Sequence, residues 1–243
     1  MIPARLESTR FPRKLLRDLC GKTVIRRTYE ATLATGLFEE VYVVTDSKEI
    51  FIEIDKNGGQ AIYKTTAHQT GSDRIAEAVA EMDADIIVNV QGDEPFTSKK
   101  LLEQLLEVFY HDDADQIDLA TPMVELQTKE EVENPNNVKV ITDNNNFALY
   151  FSRSVIPYPR ETSQPIRYFK HIGIYAFRRQ ALVDFANLQM KPLEEAEKIE
   201  CLRYLEYGKK IKMVETKEQS IGIDTVEDLE KARELFKKSN QSY

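Results

Sequence analysis

The sequence of 243 residues predicts an α/β fold, a Rossmann-like and mostly parallel sheet with flanking helices and an antiparallel insertion. Strand and helix signals alternate through the first half, which is typical of crossover units in a parallel sheet. Within that half, Ile86-Ile87-Val88 is the kind of unbroken apolar run expected of a strand covered on both faces. In the second half, two β-rich segments flank Asp143-Asn144-Asn145-Asn146, which predicts an antiparallel hairpin.

The elements of the first half follow from local periodicity and from capping residues. Gly36 and the Asn57-Gly58-Gly59 run stand where helices should stop. We expect strands at 1–4, 41–45, 61–63 and 85–91, and helices at 23–35, 48–56, 72–82 and 98–110.

The second half predicts a hairpin followed by a strand and two helical units. Gly208 should close a long helix, and Thr225 with Asp228 has capping-box spacing. We expect strands at 138–142, 147–151, 172–177, 211–215 and 221–223, and helices at 193–207 and 225–237. A single domain over residues 1–243, with an antiparallel insertion at about 120–177, fits this order best.

Composition excludes several classes of protein. The formal charge of −8 disfavours non-specific nucleic-acid binding. The longest apolar run is far too short for a membrane span, no secretory-signal pattern is present, and two cysteines form no metal-ligand spacing. We therefore expect a cytoplasmic protein without a membrane or nucleic-acid partner. The first strand is short enough to predict that the natural chain starts a few residues upstream of Met1.

Positive charge is concentrated near the start of the chain. Residues 1–27 hold eight Lys or Arg and two acids in a chain that is acidic overall. The segment from Ile2-Pro3-Ala4-Arg5 through Arg10 to Lys14 leaves the carboxyl end of a predicted strand, the edge where ligands bind in open α/β sheets. Backbone N–H groups, Arg10 and Lys14 could hold a polyphosphate there. The alternative is a solvated basic face.

Common nucleotide motifs are absent. No two glycines form G-x-G, and Gly21-Lys22-Thr23 resembles the end of a P-loop but has Leu16 where the first glycine must stand. The phosphate-binding segment would therefore belong to another class of nucleotide site.

Two acidic positions predict a magnesium site. Asp93 follows a buried strand in Gln91-Gly92-Asp93-Glu94-Pro95, and Asp224 follows the strand predicted at 221–223. Both should reach the same sheet edge, and Mg²⁺ typically takes one or two protein carboxylates. The alternative for Asp224 is a helix-capping role.

Further candidates lie on loops and strand ends. His68-Gln69-Thr70-Gly71-Ser72-Asp73-Arg74 joins a strand to a helix with small residues that would let a flat base approach, although Thr70 or Ser72 could equally serve as a helix cap. Arg153 ends the hairpin strand. His171 and Tyr175 should share one face of a strand, and either could simply be structural.

Taken in order, these motifs resemble the 3-deoxy-manno-octulosonate cytidylyltransferase family, also called CMP-Kdo synthetases, where Kdo is the eight-carbon acidic sugar. The resemblance spans residues 2–230 and rests on IPARLESTRFPRK, HQTGSDRIAEA, NVQGDEP, ALYFSRSVIPYPR, HIGIYAFR and GIDTVEDLE. It implies a nucleotidyltransferase or glycosyltransferase-A-like fold, formation of CMP-Kdo and pyrophosphate from CTP and Kdo for lipopolysaccharide biosynthesis, Mg²⁺ as cofactor and a homodimer.

The resemblance also implies roles for individual residues. It assigns Arg10 and Lys14 to the CTP phosphates and Asp93 and Asp224 to Mg²⁺, these four being the catalytic set. The nucleotide contacts would be Ala4, Arg5, Arg10, Lys14, Thr70, Gly71, Ser72, Arg74 and Gln91. The sugar contacts would be Arg153, facing the carboxylate, with His171, Tyr175 and Glu197.

Two positions depart from the family pattern. Arg13 replaces the glycine that usually precedes the loop lysine, which would restrict the backbone, and Cys201 replaces a glutamine in IECLR. The second change leaves 8-amino-Kdo or another acidic sugar such as sialate open as substrate. A nucleotide-sugar glycosyltransferase is the alternative from another class of enzyme. A non-catalytic nucleotide-binding module is a third interpretation.

Overall fold

The computed structural model describes residues 1–8, 11–66, 70–112, 116–161, 166–218 and 222–240, with only the backbone described at 239 and 240. Its strands are β1 (Ile2–Ala4), β2 (Val43–Thr45), β3 (Ala61–Tyr63), β4 (Ile86–Asn89), β5 (Leu119–Glu125), β6 (Lys139–Thr142), β7 (Ala148–Ser152), β8 (Phe169–His171), β9 (Tyr175–Arg178) and β10 (Ile211–Thr216). Its helices are α1 (Val24–Ala34), α2 (Lys48–Asp55), α3 (Gly71–Val79), α4 (Lys99–Tyr110), α5 (Lys129–Glu133), α6 (Arg179–Ala186), α7 (Pro192–Glu197), α8 (Cys201–Glu206) and α9 (Val226–Asn240). A short 3₁₀ helix covers Lys14–Leu16.

The chain divides into two compact units. The first consists of Met1–Asp83, Asn89–Leu102 and Ser220–Tyr243, and the second of Ala84–Val88 and Glu103–Gln219. The single domain predicted over 1–243 stays a prediction, as does its antiparallel insertion at about 120–177.

The first unit contains a parallel sheet in the order β1–β2–β3. Ala4 pairs with Thr45, and Thr45 with Tyr63, so the carboxyl ends of the three strands lie at one edge. The first two strands are wholly buried, with α3 packed against both and α2 against β2. Thr23 and Ser47 cap α1 and α2 by accepting backbone N–H bonds, which fixes where each helix begins after its loop.

The second unit contains most of a mainly antiparallel sheet in the order β4–β9–β5–β8–β6–β7, with β10 also pairing in parallel with β5. The hairpin β6–β7 is confirmed, and Asn146 in its turn has the left-handed backbone that asparagine tolerates. The aromatic side chains of Phe151, Phe177, Phe185 and Tyr204 are almost fully buried in this unit. The predicted α/β class with parallel and antiparallel parts is therefore confirmed.

Three predicted elements are wrong in detail. Residues 172–177 are not one strand, because the chain turns at Ile172–Ile174 between β8 and β9. The helix predicted at 193–207 is two helices, since Lys198 adopts a left-handed conformation. Residue 221 lies outside the described residues, and 222–224 belong to no strand.

No sequence pattern predicted β5, the longest strand in the described chain. Pro122 lies in its middle, and proline normally indicates that a segment is not a central strand. Here its carbonyl still accepts a bond from Ile172 N–H at 3.0 Å. Among the described helices, none has both the length and the apolar character that a bilayer crossing requires.

Candidate active site

The basic loop begins where β1 ends. Arg5 is exposed, while Arg10 lies outside the described residues. Arg13, the departure from glycine, has φ 58° and ψ 27°, a left-handed conformation that costs a side-chain-bearing residue roughly 1–2 kcal/mol. Its guanidinium pairs with Glu49. The replacement of glycine by Arg13 therefore carries a conformational cost just before Lys14.

Lys14 lies between the two aspartates predicted to bind metal. Its ammonium pairs with Asp93 Oδ2 and lies 3.0 Å from Asp224 Oδ1. The lysine side chain is only 14% exposed. Burial alone would lower the pKa of Lys14, but the charges and hydrogen bonds of the two aspartates raise it above its ordinary value. Three residues that are far apart in the chain therefore form one cluster of charged side chains.

Contacts to the main chain of the acidic turn fix this arrangement. Ile223 N–H donates to Asp93 O at 2.9 Å, which ties the segment before Asp224 to the acidic turn. A Cβ on Gly92 would lie 3.0 Å from Pro3 O, so a larger residue would push the turn away from β1. Thr28 Oγ1 donates to Gly92 O at 2.9 Å from within α1.

The capping role considered for Asp224 belongs to its neighbours. Thr225 Oγ1 accepts from Asp228 N–H at 3.2 Å, and Asp228 Oδ2 accepts from Thr225 N–H at 3.0 Å, the reciprocal bonds of a capping box. The Asp224 carboxylate faces Lys14 and is 49% exposed.

The start of α3 contacts the ends of β1 and β4. Thr70 is the N-cap and forms a capping box with Asp73, as the structural alternative for this loop anticipated. A Cβ on Gly71 would lie 3.1 Å from Pro3 Cγ and 3.8 Å from Gln91 Oε1. Ser72 is buried and its Oγ accepts from Asn89 Nδ2 at 3.4 Å. His68 and Gln69 of this loop lie outside the described residues.

Arg74 is occupied by protein groups. Its guanidinium donates to Ala4 O at 3.3 Å and to Asp46 Oδ2 at 2.7 Å, and the residue is 5% exposed. These bonds hold α3 against the carboxyl ends of β1 and β2. The structure thus brings Ala4, Arg74, Gly71, Ser72 and Gln91 together at one sheet edge.

The acidic pair suits a hard divalent cation. One ammonium reaches an oxygen of each aspartate, so both carboxylates converge on a single cationic group. Mg²⁺ commonly uses one or two carboxylates and completes its shell with water and substrate oxygens. The described residues contain no group of three or more His, Cys, Asp or Glu able to hold a metal, so the pair would need those outside ligands.

The second unit holds Arg153 in a different way. Its Nε donates to Glu197 O at 2.8 Å and its Nη1 to Pro135 O at 3.1 Å. No carboxylate pairs with this guanidinium among the residues that the structure describes. Glu197 uses its own oxygens on Arg153 N–H, at 2.9 Å, and on Ser152 Oγ, at 2.6 Å.

Lys139 supports Arg153 from within the core. Its ammonium donates to Arg153 O at 2.6 Å and Asn134 O at 3.1 Å, and the residue is fully buried. Burial lowers the pKa of Lys139, which Glu197 opposes and the Arg153 charge reinforces. Lys139 was not predicted as a site residue, because its β-strand context gives no hint of a buried ammonium.

His171 and Tyr175 lie close together, although not through one strand. His171 ends β8, Tyr175 begins β9, and their ring centroids are 5.5 Å apart. Thr121 Oγ1 donates to a carbonyl of the turn between these strands, so at 2.9 Å it accepts from His171 Nε2, which assigns the neutral Nε2–H tautomer. Burial lowers the pKa of His171 to about 3. Cys201 Sγ lies 3.9 Å from the same nitrogen.

The polar residues that support the predicted site residues were not predicted from the sequence. Asn89 Oδ1 accepts from Gln91 Nε2 at 3.3 Å, and Asn89 is fully buried at the end of β4. A buried asparagine in the apolar run DIIVNVQ was the available signal, since buried amides require polar partners. Thr121 and Asp46 carried no comparable signal.

Comparison with known proteins identifies the class. A model of the family described as "Cytidylyltransferase" matches residues 1–211. The chain therefore belongs to the cytidylyltransferase family.

Individual relatives narrow this class. A 3-deoxy-manno-octulosonate cytidylyltransferase of Flavobacterium johnsoniae is 63% identical over 98% of this chain and 97% of its own length. One of Christiangramia forsetii is 63% identical over 97% of this chain and 95% of its own length. Within the class, the chain thus falls among the 3-deoxy-manno-octulosonate cytidylyltransferases.

Solved structures agree. A CMP:2-keto-3-deoxy-manno-octonic acid synthetase complexed with CTP superposes with a TM-score of 0.91 at 38% identity, covering 98% of this chain and 97% of that one. A 4-diphosphocytidyl-2C-methyl-D-erythritol synthase from Anaerococcus prevotii has a TM-score of 0.62 at 14% identity, covering 97% of both chains, and shows a shared fold alone.

Proposed function

We infer that this protein transfers CMP from CTP to 3-deoxy-manno-octulosonate, releasing pyrophosphate. The relatives carry this activity in their names, and the similar solved structure is titled as a complex with CTP. Within the chain, the observation that carries the proposal is the convergence of Lys14, Asp93 and Asp224 at one point. A cation and two acids meeting beside a strand end suit a metal-bound polyphosphate.

Residues of the first unit would bind the nucleotide. Lys14 would exchange its carboxylate partners for phosphate oxygens, with Arg5 and Arg10 adding positive charge. Gly71 and Ser72 leave little side-chain bulk where α3 approaches Gln91, which suits a flat base or ribose. Arg74 would act on the nucleotide chiefly by holding Ala4 and α3 in place, because its guanidinium is already bonded to Ala4 O and Asp46.

Asp93 and Asp224 would hold Mg²⁺, which when bound supplies charge neutralisation at the phosphates and lowers the pKa of a coordinated hydroxyl. The protein contributes the spacing of those carboxylates, because a backbone hydrogen bond links Ile223 to Asp93.

Residues of the second unit would bind the sugar. Arg153 has a charge that no described carboxylate neutralises, and two of its guanidinium nitrogens are fixed by carbonyls. An arginine held in this way suits the carboxylate of an acidic sugar. Tyr175 is 8% exposed and His171 7% exposed, so they would shape the pocket wall, and Glu197 would orient Arg153.

The reaction forms one bond and breaks another. The anomeric C2 oxygen of the sugar attacks the α-phosphorus of CTP, so that the O–P bond to the sugar forms and the O–P bond to pyrophosphate breaks. The hydroxyl proton passes to solvent, and pyrophosphate leaves. Positioning and electrostatic stabilisation would supply most of the rate enhancement, as in other phosphoryl transfers. No covalent intermediate with a Cys or Ser side chain is required.

A pyrophosphate-release assay tests the proposal. With CTP and Mg²⁺, we expect release on addition of Kdo and none without sugar. 8-Amino-Kdo and sialate are the substrate alternatives, and buried Cys201 beside His171 makes the comparison with 8-amino-Kdo informative. Hydrolysis of CMP-Kdo without use of free CTP would instead indicate a glycosyltransferase, and CTP binding without turnover of any sugar a non-catalytic module.

Assembly and compartment belong to the same proposal. We expect a homodimer, checked by light scattering of the purified protein, with a monomeric mass as the contrary result. We expect the cytoplasm as compartment, because both cysteines are free thiols. Cell fractionation checks this, and periplasmic recovery would contradict it.

A further inference from the structure

Lys14 is bonded to the same two carboxylates that a metal ion would use. Its ammonium bonds to an oxygen of Asp93 and an oxygen of Asp224, the two carboxylates proposed to hold Mg²⁺. With the lysine side chain 14% exposed and Asp93 23% exposed, water screens these contacts only partly. The two acids therefore already have a counter-ion, supplied by the chain itself.

An ammonium and a divalent cation would compete for these carboxylates. Both are positive, and each would lie within a few ångströms of the same oxygens, where like charges repel strongly in a partly desolvated site. Mg²⁺ also requires ligand oxygens at about 2.0–2.1 Å in a regular octahedron, a geometry that an ammonium hydrogen-bonded between the acids would obstruct. We therefore expect a metal ion to coordinate both carboxylates only after the Lys14 ammonium has moved away from them.

We propose that Lys14 keeps the metal site closed in the free protein and that the polyphosphate of the nucleotide opens it by drawing the ammonium away from Asp93 and Asp224. This inference rests on the proposed function for the identity of the metal ligands. It makes nucleotide and metal binding cooperative through one side chain, in addition to any direct contact between them. By linkage, the carboxylates must weaken metal-free nucleotide binding by holding Lys14 back.

Metal binding in the absence of nucleotide tests whether Lys14 keeps the metal site closed. Mn²⁺ is the probe, and its binding to the full chain is followed by electron paramagnetic resonance. We expect Lys14→Met to bind Mn²⁺ at least tenfold more tightly than wild type. Lys22→Met is the matched control, because Lys22 belongs to the same basic segment but pairs with Glu30. It should stay within about twofold of wild type.

Two outcomes of this experiment overturn the proposal. One is unchanged Mn²⁺ affinity in Lys14→Met, which would mean that metal binds outside the ammonium position. The other is equal tightening in Lys22→Met, which would mean a general charge effect. Lys14→Gln serves as a second variant if the methionine protein does not fold, as judged by circular dichroism.

Nucleotide binding in the absence of metal tests whether the polyphosphate competes with the two acids for Lys14. In EDTA, Asp93→Asn should bind CTP more tightly than wild type, by roughly fivefold or more, because Lys14 is released. Asp55→Asn, which removes an exposed acid at the end of α2, is the control and should change little. In a Lys14→Met background the gain from Asp93→Asn should fall to within about twofold.

The double variant separates release of Lys14 from simple repulsion. If Asp93→Asn improves metal-free CTP binding equally with and without Lys14, the acids act on the phosphates directly and the proposal is overturned. None of these measurements needs turnover. Failure of the pyrophosphate assay would therefore refute the proposed function while leaving the binding results interpretable.

Discussion

Two cationic side chains, one in each unit, are held by opposite means. Lys14 is bonded to the carboxylates of Asp93 and Asp224, whereas the Arg153 guanidinium is bonded to the carbonyls of Glu197 and Pro135. Carboxylates neutralise a cation, and carbonyls orient it without removing its charge. The first arrangement must exchange partners to bind an anion, while the second is already prepared for one.

This difference suits the two proposed ligands. A triphosphate with its metal brings both negative and positive charge, so a site with internal counter-ions can rearrange around it. A sugar carboxylate brings a single negative charge and no metal, so a fixed and uncompensated arginine matches it. Arg167, by contrast, is an exposed arginine whose charge is already compensated by Glu125 and Glu215.

The largest effect should come from the acids around Lys14. Asp93→Asn and Asp224→Asn should each lower the rate of pyrophosphate release by about 10²–10³, because stabilisation worth about 3–4 kcal/mol is lost in the transition state. Steady-state assays with Kdo and CTP measure this, and Asp55→Asn should be near wild type. Near-normal turnover in both variants would refute the metal assignment.

Removing the Arg153 charge should act on the sugar alone. Arg153→Met loses charge-assisted hydrogen bonds worth about 1.5–3 kcal/mol, which corresponds to roughly 10–150-fold in kcat/KM for Kdo, with the KM for CTP within about twofold. Arg167→Met is the matched control with no expected change. An equal rise in both KM values would show that Arg153 serves the fold rather than the sugar.

Lys139→Met should give a smaller effect of the same kind. The variant frees the carbonyl of Arg153 and should raise the KM for Kdo about tenfold while kcat changes little, because Lys139 positions Arg153 without touching the reacting atoms. Lys170, its partner on the neighbouring strand β8, provides the control variant Lys170→Met. A fall in kcat with an unchanged KM would contradict this role.

The smallest effect concerns acid stability of the second unit. His171 has a pKa lowered to about 3 when folded, against about 6.5 when unfolded. Between these values the unfolded state binds the extra proton, so stability should fall with decreasing pH by up to about 1.4 kcal/mol per unit below pH 6.5. Urea unfolding at pH 7 and pH 5 measures the slope.

His171→Gln provides the comparison, because its amide can still donate to Thr121. The variant should show a shallower loss of stability over the same pH range. An identical slope would mean that other groups cause the acid sensitivity.

The first unit was the more predictable from sequence. Its helices have side-chain caps at Thr23, Ser47 and Thr70, and its strands are short apolar runs, so local signals and final structure agree. The convergence of Asp93 and Asp224 was also predicted, but the strand-end argument used for it fails at Asp224, because residues 222–224 form no strand. The interposed ammonium of Lys14 was not predicted, since it depends on side-chain contacts.

The second unit resisted prediction where tertiary contacts override local preference. The helix signal of 193–207 breaks at Lys198 next to Glu197, whose carbonyl accepts a bond from the Arg153 guanidinium. Pro122 lies within β5 although it has no N–H to donate. Its carbonyl still accepts a hydrogen bond from Ile172 N–H. His171 and Tyr175 meet across a turn, so the predicted proximity was right but the alternation used to predict it was wrong.

The hydrogen bond from Ile223 N–H to Asp93 O has a consequence for mutational tolerance. Because the link joins backbone to backbone, it does not itself depend on which side chains residues 93 and 223 carry. Side chains near the acidic pair, apart from Gly92 and Thr28, can thus diverge or be redesigned for another activated sugar while this link is kept.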